Sequence, residues 1–170
     1  MKQKLYLFLS MSIPFGLIMG LILHNDKLPF LNAALLSGLS FGLPMTIILS
    51  LVQVYYLNKT GNTGAKVTLV NEREVELDGS KREVMDICRH ALDVIESCSL
   101  LERNEGEGLL RAKAGRSLYS WGENIVIHVQ EVQDHRHKVT ITSAPAVKTT
   151  VIDYGKNLDN VNRIVQFLQH

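Results

Sequence analysis

Two long apolar stretches near the start of the chain constrain its fold more than any other feature. Residues 5–23 and 28–57 contain no Asp, Glu, Lys or Arg, and only the polar residues 24–27 separate them. The hydrocarbon core of a bilayer needs roughly 20 helical residues, so each stretch is long enough to cross it. The pattern predicts a transmembrane helical hairpin over residues 1–57, and the lipid bilayer is therefore an expected partner of the protein.

The charges beside the two stretches predict the orientation of the hairpin. Lys2 and Lys4 lie on one side together with Lys59 and Lys66, whereas the turn carries Lys27 alone beside an aspartate. Because cytoplasmic flanks are enriched in Lys and Arg, both termini are expected in the cytoplasm. A cleaved signal peptide is not expected, since no small-residue cleavage site follows the first stretch.

Small residues recur every four positions in both predicted spans. Such stripes let helix backbones approach closely in lipid. Two interpretations stay open: the hairpin closes on itself, or the stripes mediate contact between subunits. The spans lack charged residues, which disfavours a coupled transporter, whereas an oligomeric pore lined by small polar residues remains possible. The predicted helix-packing residues are Ser12, Gly16, Gly20, Ala34, Gly38 and Gly42.

The remainder reads as a linker, residues 58–65, followed by one water-soluble domain, residues 66–170. Alternation on both sides of residues 71–73 predicts a short β-hairpin within residues 66–77. Ser80 and Glu83 form a capping box that opens a helix, and helical spacing continues to about residue 98. Cys88 and Cys98 would then lie about 15 Å apart on one helix, too far for a disulfide.

Alternating apolar residues predict a sheet in the second half of the domain. Residues 125–129 and 139–143 form an antiparallel hairpin with a polar turn at residues 134–137, and residues 147–152 read as another strand. A last helix opens near Asn157 as the N-cap, with Asp159 in its first turn. The predicted fold is a membrane α-helical hairpin plus a small α+β two-layer domain, an antiparallel sheet with two helices on one face.

Two stretches of the domain stand out, residues 117–123 (SLYSWGE) and residues 143–145 leading to 153–161 (DYGKNLDNV). Here the chain resembles uncharacterised bacterial membrane-anchored proteins with a Trp-Gly-Glu turn and an Asp-aromatic-Gly-Lys-Asn motif. The resemblance covers roughly residues 80–168 and implies a helix-strands-helix domain at a bacterial inner membrane. It implies no activity, cofactor or catalytic residue.

These motifs supply the candidate interaction or ligand site. One interpretation is structural, with Asp153 and Asn157 capping the turn and Trp121 covering the core; the other is a polar ligand site where Lys156 and free amides hold an anion. The candidate residues are Trp121, Glu123, Asp153, Tyr154, Lys156 and Asn157.

Catalytic and metal sites are weakly indicated. Ser117 or Ser120 with His128 and Asp153 is an imaginable triad, but no nucleophile-elbow pattern supports it. His135 and His137 flank the predicted turn and are expected to be solvated rather than metal-bound. No cofactor is expected, and the near balance of charges after residue 58 disfavours nucleic acid as a partner.

The sequence therefore predicts a non-enzymatic membrane protein that presents a cytoplasmic interaction domain and assembles as a homo-oligomer. One alternative is a membrane-attached sensor or carrier of a small apolar ligand, whose identity the sequence leaves unknown. Another is a small oligomeric pore.

Overall fold

The computed structural model describes residues 2–117 and 119–170, so Leu118 of the SLYSWGE stretch lies outside the described residues. The contacts divide the chain into two compact units, Met1–Asn58 and Lys59–His170. Each unit is described by itself.

The first unit is a helical hairpin built from α1 (Lys2–Leu23) and α2 (Phe30–Lys59). Asn25 shapes the turn, because its side-chain oxygen accepts hydrogen bonds from the backbone N–H groups of Lys27 (2.9 Å) and Leu28 (3.1 Å). Both helices are long and apolar enough to cross a membrane by length and composition, and neither is amphipathic.

The small residues of the two helices lie against each other inside the hairpin. A methyl group added at Gly16 would lie 2.5 Å from the carbonyl oxygen of Ala34, and one added at Gly38 would lie 2.8 Å from that of Ser12. Any side chain at either glycine would therefore force the backbones apart. The stripes lie at the contact of α1 with α2, as in the interpretation in which the hairpin closes on itself.

The second unit is a five-stranded antiparallel sheet with two helices, which confirms the small α+β fold. Its strand order is β1-β5-β4-β3-β2, so β1 and β2 are the edges. The elements are β1 (Asn71–Asp78), α3 (Lys81–Ala91), a 3₁₀ turn (Leu92–Val94), β2 (Cys98–Asn104), β3 (Leu109–Ala114), β4 (Glu123–Gln133), β5 (Arg136–Pro145) and α4 (Lys156–Leu168).

Both domain helices cover one face of the sheet. Alternate residues of β4 and β5, such as Ile127 and Ile141, are buried there together with Met85 of α3 and Ile164 of α4. The capping box that opens α3 is present as predicted, with Ser80 and Glu83 each bonded to the other's backbone N–H. The opposite face of the sheet is polar and exposed, which gives the strands their alternation.

The prediction of a β-hairpin within residues 66–77 is wrong. Residues 71–78 form one strand, β1, and residues 66–70 form no strand. β1 pairs with the distant strand β5, so that Val75 lies opposite Val139. The alternation of apolar and polar residues indicates which face of a strand is buried, but it does not indicate which other strand pairs with it.

The helix predicted to reach residue 98 ends at Ala91. The 3₁₀ turn keeps Leu92 and Ile95 buried, which imitates helical spacing, and Ser97 then adopts a left-handed backbone (φ 54°) before β2 begins at Cys98. The two cysteines therefore lie on different elements, and both are free thiols. Burial raises the pKa of the Cys88 thiol to about 12, which keeps it protonated and unreactive.

The strand predicted at residues 147–152 is also absent; these residues form a turn and a loop. Their β-branched composition favours a strand, but β5 ends at Pro145 and β1 already occupies the neighbouring edge position. The last helix begins at Lys156 with Gly155 as its N-cap (φ 98°), not with Asn157. Only a residue that tolerates positive φ, above all glycine, fits this cap.

Candidate functional site

Buried polar side chains gather at one end of the sheet, beneath the start of α4. Glu123 opens β4 and Ser143 lies near the end of β5, and both point to the face that the helices cover. Asn157 and Asn160 come from the first turns of α4, and Asp153 precedes that helix. All five are at most 4% exposed. We call these five residues the buried network.

Hydrogen bonds join the members of the buried network in a chain. The Asn160 side-chain NH₂ donates to Glu123 Oε2 (3.3 Å) and to Ser143 Oγ (3.4 Å). The Ser143 hydroxyl donates to Asn157 Oδ1 (2.8 Å), and Asn157 in turn is hydrogen-bonded to the Asp153 carboxylate. The chain links two carboxyl groups and ties α4 to two strands.

Asp153 caps the turn that leads into α4. Its Oδ1 accepts hydrogen bonds from the backbone N–H groups of Gly155 (3.1 Å) and Lys156 (3.0 Å). Burial raises the pKa of Asp153 to about 6, and the hydrogen bonds from Asn157 and the backbone oppose this rise only in part. The amides in the turn are thus engaged by a carboxylate of the chain itself, which is the capping geometry.

Glu123 Oε1 and Asn160 Oδ1 are buried in the network and have no hydrogen-bond partner among the described residues. The two residues already share a hydrogen bond through other atoms. Both atoms accept hydrogen bonds, so a proton donor or a positive charge would satisfy them. Within residues 2–117 and 119–170, no cluster of three or more His, Cys, Asp or Glu could hold a metal ion.

Lys156 is directed toward α4 rather than toward solvent. Its ammonium lies 3.9 Å from Asp159 Oδ2, and its side chain is 12% exposed. The guanidinium of Arg163 lies 3.1 Å from the same oxygen. The predicted anion-holding lysine is therefore already compensated by a neighbouring carboxylate.

Trp121 is exposed, so it does not cover the core. The residue is 69% exposed, and the Arg116 guanidinium lies over its ring at 5.4 Å from the ring centroid. Nearby in the fold, Tyr119 and Tyr154 meet edge to face with ring centroids 6.4 Å apart. We call Arg116, Tyr119, Trp121 and Tyr154 the aromatic edge.

The structure separates the members of the imagined catalytic triad. His128 lies on the exposed face of β4, because its neighbours in the strand point to the buried face. Asp153 is buried on the opposite, helix-covered side of the sheet. Ser117 and Ser120 are paired with each other through the backbone, where the Ser117 N–H donates to the Ser120 carbonyl (2.8 Å).

His137 departs from its predicted position in a solvated turn. The turn contains only Asp134 and His135, and His137 belongs to β5, where it is 1% exposed. Neither of its ring nitrogens has a hydrogen-bond partner among the described residues. The run of polar residues around the turn concealed the alternation that places His137 inside.

Sequence reasoning brought Glu123, Asp153 and Asn157 into one candidate site but missed Ser143 and Asn160. A signal for both was present. Ser143 continues the alternation of Val139 and Ile141, and Asn160 precedes Val161 on the apolar stripe of α4. Polar residues at positions that the pattern assigns to the core predict a buried hydrogen-bonded group.

A groove of about 820 Å³ lies at the opposite end of the domain helices, away from the buried network. Its apolar walls come from β1, α3, the 3₁₀ turn and α4, and Asp78, Arg163 and His170 give it a polar rim. The apolar lining residues are Leu77, Ile87, Val94, Phe167 and Leu168.

Comparisons with known proteins find distant structural matches only. No protein-family model matches the chain, and no curated protein matches it. An uncharacterised protein from Bacillus thuringiensis matches in structure at 12% identity and a TM-score of 0.45, covering 59% of this chain and 96% of its own. A protein from Thermobifida fusca matches at 11% identity and a TM-score of 0.39, covering 59% and 95%. Ara h 8.0201 matches at 11% identity and a TM-score of 0.29, covering 59% and 98%.

Proposed function

We propose that this chain is a non-enzymatic integral membrane protein. In this proposal α1 and α2 anchor it in a bacterial inner membrane, and the α+β domain acts in the cytoplasm by binding other macromolecules. Both termini lie on the cytoplasmic side, and the protein works as a homo-oligomer.

The observation that carries the proposal is the exposed apolar surface around the hairpin. Only 17% of the apolar 18-residue stretch of α1 is buried, and only 11% of the corresponding stretch of α2. Residues such as Leu17 and Leu36 are at least half exposed. The core helix of a soluble protein would be mostly buried. A signal sequence would account for α1 alone, and α2 is 30 residues long. An apolar surface of this extent is suited to lipid.

The buried network supports a structural use of the polar motifs. Its side chains are bonded to one another beneath α4, so they hold the helix on the sheet rather than facing a substrate. The domain then offers its outer surfaces for contact with partners.

Self-association of the hairpin is supported by a shallow groove beside the small-residue contact. It measures about 260 Å³, and Gly16, Ala34 and Gly38 line it together with leucines such as Leu35. An open groove over small residues admits the side chains of a second helix in lipid. In this proposal, a second copy of the hairpin occupies the groove.

Membrane flotation of the full-length protein tests the anchor. The protein is expected to float with liposomes and to resist extraction by alkaline carbonate. A cysteine-labelling reagent that cannot cross the membrane should label a cysteine added after His170 only once the cells are opened. A protein that stays soluble without detergent would overturn the anchor, and labelling of intact cells would overturn the orientation.

Cysteine cross-linking tests the homo-oligomer. In a Cys98→Ser background, Leu35→Cys is expected to form disulfide-linked dimers in membranes, because Leu35 lines the groove. Leu36→Cys is the matched control; Leu36 is 63% exposed and is not among the groove residues. Equal cross-linking at both positions, or none at either, would contradict self-association through this groove, and ion conductance by the purified protein in liposomes would favour the pore instead.

A carrier of a small apolar ligand is the second candidate, and the groove of about 820 Å³ between α3 and α4 favours it. Native mass spectrometry of the full-length protein released from mild detergent tests this function. A retained apolar molecule that Phe167→Asp abolishes would support the carrier. A bare chain in every preparation would exclude it.

A further inference from the structure

We infer that the aromatic edge of the domain docks on the surface of an anionic phospholipid bilayer. This inference rests on the proposed function, because only an anchored chain holds the domain beside lipid. The aromatic edge contacts the bilayer interface in this inference, and the experiment below distinguishes that contact from binding of a protein at the same edge.

The first observation is the exposure of Trp121 at one end of the sheet. Trp121 is 69% exposed while Gly122 and Glu123 beside it are buried, so the chain presents an indole to the outside directly next to the start of β4. Val147 is 42% exposed in the loop that follows β5, and the bond from Ala146 N–H to the Gly122 carbonyl (2.9 Å) places that loop beside Trp121. Tryptophan and tyrosine are enriched where apolar and aqueous surroundings meet in a membrane.

The second observation is where the chain enters the domain. β1 begins at Asn71, which lies opposite Ser143 at the end of β5, and Glu123 at the start of β4 lies opposite Pro145. The entry point and the aromatic edge therefore share one end of the sheet. Residues 60–70 connect α2 to this entry point and span at most about 40 Å when fully extended. The end of the domain tethered to the anchor is thus the end that carries the exposed Trp121.

The third observation is the charge at this end. Arg116, Lys148 and Lys66 are exposed, whereas the carboxyl groups of Glu123 and Asp153 are buried within the network. The exposed carboxylates toward this end include those of Glu72, which accepts a hydrogen bond from Thr142, of Glu96, and of Asp93, which lies 3.7 Å from the Arg89 guanidinium. Basic residues beside an anionic surface each contribute attraction that salt weakens. The edge combines an interfacial aromatic residue with lysine and arginine, which is the chemistry of lipid headgroup contact.

Trp121 reports its own environment, because it is the single tryptophan of the chain. The experiment uses the full-length protein in liposomes of phosphatidylcholine mixed with phosphatidylglycerol, some carrying lipids brominated near the headgroup end of the acyl chain. We expect blue-shifted emission and quenching by the brominated lipid. Both effects should weaken in phosphatidylcholine alone and at high salt.

Charge variants supply the matched comparison. Arg116→Gln and Lys148→Gln are each expected to lower the ratio of docked to undocked domain about fivefold. Arg82→Gln and Lys138→Gln remove exposed or half-exposed cations toward the other end of the sheet and should leave the quenching unchanged. Circular dichroism of each variant checks that the domain remains folded.

The outcomes separate the inference from the function on which it rests. Protein that floats with liposomes but shows unquenched, water-like Trp121 emission would overturn the docking and leave the anchor standing. Protein that does not float would overturn the anchor and the docking together. A blue shift of the Trp121 emission without quenching by the brominated lipid, seen only after a soluble protein fraction is added, would assign the edge to a protein partner and would also overturn the inference.

Discussion

The hairpin and the α+β domain hold their helices by different chemistry. In the hairpin, Gly16 and Gly38 remove side chains so that backbones touch, and a methyl group at either position would meet a carbonyl oxygen. In the domain, α4 covers the sheet with apolar residues such as Ile164 and is additionally bonded to it by Asn160. Close approach of the backbones thus holds α1 to α2, whereas α4 combines apolar burial with hydrogen-bonded polar side chains.

The largest expected effect on stability comes from removing a hydrogen-bond donor from the buried network. Asn160→Ala leaves Glu123 Oε2 and Ser143 Oγ without their shared donor inside the domain, which we expect to cost about 3 to 4 kcal/mol in the free energy of unfolding. Chemical denaturation followed by circular dichroism measures it. Gln166→Ala is the control, because Gln166 is an exposed amide on the same helix. Equal stability of the two variants would contradict a structural role for the buried network.

Gly38→Leu disrupts the close contact between the backbones of α1 and α2. The new side chain meets the backbone of Ser12, so α1 and α2 must separate, at a cost of about 2 to 3 kcal/mol. The distance between spin labels on the two helices, measured by electron paramagnetic resonance in lipid, should increase. Leu39→Ile alters a 47% exposed neighbour and should not change that distance.

The pH dependence of stability distinguishes the two regions further. Folding raises the pKa of Asp153 from 3.8 to about 6, so between these values the folded domain binds more protons than the unfolded chain. The contribution of Asp153 to stability is therefore complete below about pH 4 and is lost as the pH rises through 6, by about 2 to 3 kcal/mol.

Comparison with Asp153→Asn isolates this contribution. In Asp153→Asn, the free energy of unfolding should no longer fall by this amount between about pH 4 and pH 6. Asp134→Asn, in the exposed turn, should show the same fall as the unmodified protein. The packing of α1 on α2 should not follow this slope of unfolding free energy against pH, because residues 5–23 and 28–57 contain no Asp, Glu, Lys or Arg. An unchanged slope in Asp153→Asn would show that another group titrates.

The smallest expected effect concerns the start of α3. Ser80→Ala removes one half of the capping box and should cost about 1 kcal/mol. Ser99→Ala, on the exposed edge strand β2, should cost much less. Thermal unfolding of the domain compares them, and a larger loss for Ser99→Ala would contradict the capping role.

Local patterns in the sequence determined the elements that depend on near neighbours. The two uncharged stretches became α1 and α2, the capping box opened α3, and the alternation around Ile127 and Ile141 became the β4–β5 hairpin. Each of these depends on residues a few positions apart, whose spacing determines which side chains share a face.

The tertiary structure alone decided the long-range relations. β1 pairs with β5 rather than with its own neighbours, and Asn160 meets Glu123 only because α4 crosses the ends of β4 and β5. Periodicity states that a face is buried but not against what, since strand partners and helix crossings depend on the packing of the whole domain. The helical hairpin was therefore readable from residue types, whereas the buried network and the aromatic edge required the fold.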